Sequence, residues 1–181
     1  DAQMTELRKN PSILGLSFAI TYWDYIGWKD TLASPINDAR QVQYRDHLNT
    51  SYVYTPQMII AGQDHFVGSS NTQLMDNLER FKGHARQIKL KWQFTETGID
   101  VRLPAAAVNA VIWQVDIDRA QEVAIGRGEN TGRTITYHNV VRKIESLGKW
   151  DGTAKSLKLS LQNMVAEGRD SCALLVQENG Y

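Results

Sequence analysis

The chain has 181 residues, enough for one domain or two small ones. Twenty basic residues balance twenty acidic ones to a formal net charge of zero, and neither sign forms a long block, so the electrostatic footprint of a nucleic-acid binder is lacking. The longest nearly uninterrupted apolar stretch, Ile13 to Ile20, falls far short of the roughly 20 residues of a membrane helix. The single cysteine, Cys172, excludes an internal disulfide and every Cys-rich zinc pattern within these residues. No signal peptide is visible at Asp1, which would also be true of a trimmed mature chain.

In chain order, Met4 and Leu7 sit at helical spacing within a helix expected over 2–9, already under way where the chain begins. Asn10-Pro11 stops it, because proline disfavours the α conformation in the residue before it. Ile13 to Thr21 is too short for a typical buried helix and reads as a strand covered on both faces. Ser34-Pro35 pairs an N-cap with proline at the first helical position, opening a helix to about Leu48. Thr55 to Gly62 and Asp64 to Val67 form a proline-initiated hairpin. Over 71–82 a helix carries Leu74, Met75, Leu78 and Phe81 on one stripe, with Gly83 as its stop.

After Gly83 the hydrophobic period changes from 3.6 to 2, which marks a boundary between domains 1–83 and 84–181. Ile88, Leu90, Trp92 and Phe94 face one way, Glu96-Thr97-Gly98 turns the chain, and Ile99, Val101 and Leu103 return. Val111 to Ile117, Val123 with Ile125, Thr134–Val141, Leu157 to Leu161 and Cys172 to Val176 continue the strand pattern, although Leu161, Met164 and Val165 also fit a helical turn. Six or seven short strands favour a β-sandwich or open barrel.

The strings Tyr22-Trp23-Asp24-Tyr25-Ile26-Gly27-Trp28-Lys29-Asp30, Ala33-Ser34-Pro35 and Val53-Tyr54-Thr55-Pro56-Gln57-Met58 resemble an uncharacterised family of bacterial, often exported, thioredoxin-like proteins. The likeness continues through 126–134 to Gly148-Lys149-Trp150-Asp151-Gly152. It implies an α/β thioredoxin-like domain, incomplete at its N-terminus, followed by an all-β, sandwich-like domain. It also implies that a first strand and a Cys-x-x-Cys would precede Asp1, at a helix N-terminus that stabilises the thiolate. In thioredoxin-like sheets that first strand lies between the second strand and the hairpin. The location implied is periplasmic or secreted.

The resemblance further implies a cis bond at Thr55-Pro56, beside which an extended substrate would pair with the backbone of Thr55; the plain alternative is a proline that only begins a strand. Tyr22, Trp23 and Asp24, with Tyr25 and Trp28, follow the strand expected over 13–21, at the sheet end where α/β proteins place ligands. They suit a binding surface with Asp24 as its polar handle, and equally a loop packed onto the following helix, which is the favoured reading. Asp24 and Asp30 read as caps rather than acid–base residues. Gly126 to Thr134 misses phosphate-loop spacing and leads into a strand, so it reads as a connection, with Arg127, Glu129 and Arg133 available for ion pairing. His47, His65, His84 and His138 lack zinc spacing, no cofactor is implied, and Cys172 sits on an expected buried face as a small hydrophobe.

Two functions follow. One is a thiol–disulfide oxidoreductase whose cysteines lie before Asp1, acting on a protein or small disulfide, with no catalytic residue in these 181. The other is a non-catalytic envelope binding or structural module that uses the fold as a scaffold.

Overall fold

The computed structural model of the chain describes residues 2–27, 29–82, 88–127 and 130–178. The chain is a mixed α/β structure: α1 (Ala2–Leu7), α2 (Pro35–His47), β1 (Gln57–Ile60), β2 (Asp64–Val67), α3 (Asn71–Phe81), β3 (Lys91–Phe94), β4 (Gly98–Leu103), β5 (Ala110–Ala124), β6 (Thr134–Trp150), β7 (Lys155–Ser160), α4 (Leu161–Ala166) and β8 (Ser171–Glu178). It divides into two compact units. One comprises 1–39, 113–147 and 162–175, and the other 40–112, 148–161 and 176–181. The boundary expected at 83/84, the stop at Gly83 and His84 lie outside the described residues.

The first unit is built on the sheet of order β6-β5-β8. Val115 and Ile117 of β5 cluster with Val141, Ile144 and Ala173, with Leu16 and Phe18 packed against them. A second cluster joins Leu32, Val123, Ile125 and Val140, with Ala19, Ile135 and Tyr137 at its margin. Leu16, Phe18 and Ala19 thus bury apolar surface, yet the strand expected over 13–21 is not formed. That segment makes one parallel bridge, Ser17 to Val140. The Ser17 N–H donates to the Asn139 carbonyl and the Val141 N–H to the Ser17 carbonyl, both at 2.9 Å. Side chains then take over from a ladder: Ser17 Oγ donates to the His138 carbonyl at 2.8 Å and Asn139 Nδ2 to the Gly15 carbonyl at 2.9 Å.

In the second unit β1 and β2 stand as a two-stranded antiparallel sheet, from Gln57 opposite Val67 to Ile60 opposite Asp64. Ala61 and Gly62 turn the chain with φ of 52° and 70°, both left-handed, as a type I′ turn requires. Among the described residues no ladder joins this hairpin to 13–21. Helix α3 is capped by Ser70, whose side chain accepts from the Gln73 N–H, and it buries Leu74. Met75, expected on the same stripe, is 63% exposed.

A three-stranded antiparallel sheet of order β3-β4-β7 completes this unit. Ile99, Val101 and Leu103 are buried as their alternation predicts, while Trp92 and Phe94 of β3 are exposed. Trp150 is buried and its indole N–H donates to the Thr153 carbonyl at 2.6 Å. The two strands expected over 111–117 and 123–125 are one strand of 15 residues, β5. The ambiguous segment near 161 resolves as β7 running directly into α4.

Candidate functional site

Thr55 and Pro56 are exposed immediately before β1, and the peptide bond between them is cis. The segment is held from both sides. Gln41 of α2 donates through Nε2 to the Tyr54 carbonyl and to Gln57 Oε1, each at 2.9 Å. The Pro56 carbonyl accepts from the Gly68 N–H at 2.8 Å. A side chain at Gly68 would bring its Cβ to 3.2 Å from that of Pro56, tighter than an ordinary contact, so the neighbour would have to give by a few tenths of an ångström.

Tyr54, two residues earlier, places its hydroxyl 2.6 Å from His65 Nδ1, and Tyr52 meets the Tyr54 ring edge-on at 5.9 Å. Burial pushes the Tyr54 phenol up from its ordinary value, against a lowering contribution from Gln57. The phenol donates where Nδ1 is bare and accepts where Nδ1 carries the ring proton. Strand β1 has β2 as its one ladder partner among the described residues. The site therefore offers an exposed backbone corner leading into a strand edge, bordered by two tyrosines and a histidine.

Tyr22, Trp23 and Asp24 lie in the other unit. Asp24–Ile26 is one turn of 3₁₀ helix, ended by Gly27 at φ 93°. Asp24 acts locally: its Oδ1 accepts from the Asp30 N–H at 3.0 Å, and Asp30 Oδ1 in turn accepts from the Leu32 N–H at 2.9 Å. Tyr22 is half-buried. Trp23 and Tyr25 are 47% and 79% exposed and stack at 6.2 Å with 24° between their planes. Trp28 lies outside the described residues.

The connection expected over 126–134 joins β5 to β6, closed by the Gly132 N–H donating to Ile125 and the Ile125 N–H to Arg133, both at 2.9 Å. Gly128 and Glu129 lie outside the described residues, and with Glu129 the ion pairing expected there. Among the described residues no group of three His, Cys, Asp or Glu side chains is arranged to hold a metal. Cys172 is half-buried in β8; burial, with Asp116 second, raises its thiol above the ordinary value.

Sequence reasoning missed a buried polar row on β5. Gln114, Asp116 and Asp118 are 8%, 3% and 4% exposed. Gln114 Nε2 donates to Asp116 Oδ1 at 2.8 Å, and Arg169 Nη1 reaches both Asp118 oxygens at 2.9 and 2.7 Å. The alternation Gln-x-Asp-x-Asp inside an apolar strand was its only sequence signal.

No curated protein matches the chain. It is similar to a protein from Agrobacterium tumefaciens solved by X-ray crystallography, with 28% identity and a TM-score of 0.84, over 98% of this chain and 78% of that one. The sequence profile of DUF1223, a protein of unknown function, matches residues 1–177, and the chain belongs to that family.

Proposed function

We propose that the chain is the substrate-presenting part of a thioredoxin-like thiol–disulfide oxidoreductase of the periplasm or exterior, whose Cys-x-x-Cys is not among these 181 residues. The observation that carries this reading is the exposed Thr55–Pro56 corner, pinned by Gln41 and Gly68, at the head of a strand with one ladder partner among the described residues. An extended disulfide-bearing peptide would add to that strand through main-chain hydrogen bonds. A thiolate of the pair attacks one sulfur of the peptide disulfide and expels the other as a thiolate, and the second cysteine then resolves the mixed disulfide.

The test uses the natural full-length protein with dithiothreitol as electron donor and a fluorogenic peptide disulfide. Turnover is expected, abolished by Cys→Ser in the pair and untouched by Cys172→Ser. Absence of turnover, or turnover that survives Cys→Ser in the pair, overturns the reading.

Cys172 favours a second reading, binding without chemistry, because burial raises its thiol above the ordinary value and so disfavours the thiolate. An extended peptide without cysteine, bound equally well by the intact protein and its Cys→Ser variants in the absence of turnover, would support that reading.

A further inference from the structure

Two arginines far apart in sequence line one open cleft of about 340 Å³ in the first unit. Its wall carries Arg8, Lys9 and Asn10 from the turn after α1, Arg119 from β5 and Asn139 from β6, with Pro11 and Ile13 as its apolar part. Among the described residues no acidic one lines it. Lys9 is neutralised by Glu6 at 2.7 Å. Among the described residues no ion pair or hydrogen bond engages the guanidinium groups of Arg8 and Arg119, and both residues line this small volume.

The backbone around the cleft is fixed. The Ile13 N–H donates to the Asn10 carbonyl and the Ser12 N–H to Asn10 Oδ1, both at 3.0 Å, which sets the Asn10-Pro11-Ser12 turn. Asn139 holds a left-handed φ of 50° inside a strand, a conformation that asparagine tolerates better than most residues, and its amide grips Gly15. Arg119 is anchored by its own N–H, which donates to Asp170 Oδ1 at 3.0 Å.

We infer that this cleft is a binding site for a phosphate-bearing ligand, held by the guanidinium groups of Arg8 and Arg119. Planar guanidinium groups present paired N–H donors that match a tetrahedral oxyanion, and two of them match its double charge better than that of a single carboxylate. The volume lies at the lower end of small-ligand sites, and Pro11 and Ile13 give a short organic moiety an apolar surface. The site is independent of the Thr55–Pro56 reading.

Calorimetric titration of the chain with inorganic pyrophosphate tests it, alongside sedimentation with phosphatidylglycerol and with phosphatidylcholine vesicles. Saturable binding is expected, weakened about tenfold or more by Arg8→Ala or Arg119→Ala, in line with the loss of a charge-assisted bond. Arg8→Lys and Arg119→Lys should recover part of it, and Arg102→Ala, on an exposed residue of β4 outside the cleft, should leave it unchanged. Binding to phosphatidylglycerol vesicles alone, lost in the same two variants, would assign the phosphate to a lipid headgroup. No binding to any probe, or equal weakening by Arg102→Ala, overturns the inference.

Discussion

Removal of the Arg169 side chain is expected to destabilise the first unit by about 2–3 kcal/mol, more than any other single truncation around Asp118. The figure follows from what the carboxylate would keep. Asp118 is 4% exposed, and Arg169 supplies its two short contacts, at 2.9 and 2.7 Å. What remains is Gln121 Nε2 at 3.1 Å and Arg142 Nε at 3.6 Å, the latter beyond a good hydrogen bond. A buried charge stripped of its only partner costs about 3–5 kcal/mol, and the residual pair lowers that range. Arg142→Ala, by contrast, removes one long contact and one bond to the Thr31 carbonyl at 3.3 Å, for about 1 kcal/mol. Urea unfolding at constant m-value measures both, and Arg169→Ala in an Asp118→Asn background isolates the coupling. Equal costs for the two arginines, or a coupling below about 0.5 kcal/mol, would refute the reasoning.

Two further outcomes are expected. Gly152 and Gly148 have φ of 86° and 97°, but a Cβ at Gly152 would stand 2.0 Å from the Ala106 carbonyl oxygen, whereas at Gly148 nothing lies within 4 Å. Gly148→Ala should therefore cost only the left-handed strain, about 1–2 kcal/mol, and Gly152→Ala more than about 3 kcal/mol, read as a difference in Tm. Cys172 keeps its proton in the folded chain to higher pH than in the unfolded one, so stability should fall as pH rises between those two values; Cys172→Ser should remove that slope from alkaline urea titrations. Iodoacetamide should also alkylate the native protein more slowly than the unfolded chain at about pH 8.5, and equal rates would contradict the burial argument.

Elements with local causes were legible in the sequence. Ser34-Pro35 opened α2, because caps act within three residues. The hairpin, too, showed through its own turn residues. The strand expected over 13–21 failed because apolar content reports burial and not ladder pairing. What holds that segment is Asn139 and His138, more than 120 positions away. Strand β5 is continuous where the apolar alternation breaks between Ile117 and Val123, and the Asp118 carboxylate in that break is satisfied by Arg169, 51 residues on. Trp92 and Phe94 alternate correctly and stay exposed, since a period of two selects a face without specifying what covers it. Of the candidate sites, the Thr55–Pro56 corner was visible through resemblance, whereas Arg8 and Arg119 meet only in the fold.

The polar row also fixes where Arg119 stands. Alternation puts Val115 and Ile117 on the face that joins Val141, Ile144 and Ala173, and Gln114, Asp116 and Asp118 on the opposite face. A slip of β5 by one residue would drive a carboxamide and two carboxylates into the apolar cluster and strip Asp118 of Arg169. That alternative costs far more than the strand could recover elsewhere, so the register is single-valued. Arg119 is the first exposed residue after the row, and Asp170, which takes its N–H, directly follows the Arg169 that pairs with Asp118. The same buried pair that secures the sheet therefore fixes the backbone of Arg119 beside the cleft that it lines, and loosening it at Arg169 should weaken pyrophosphate binding at a residue that never touches the ligand.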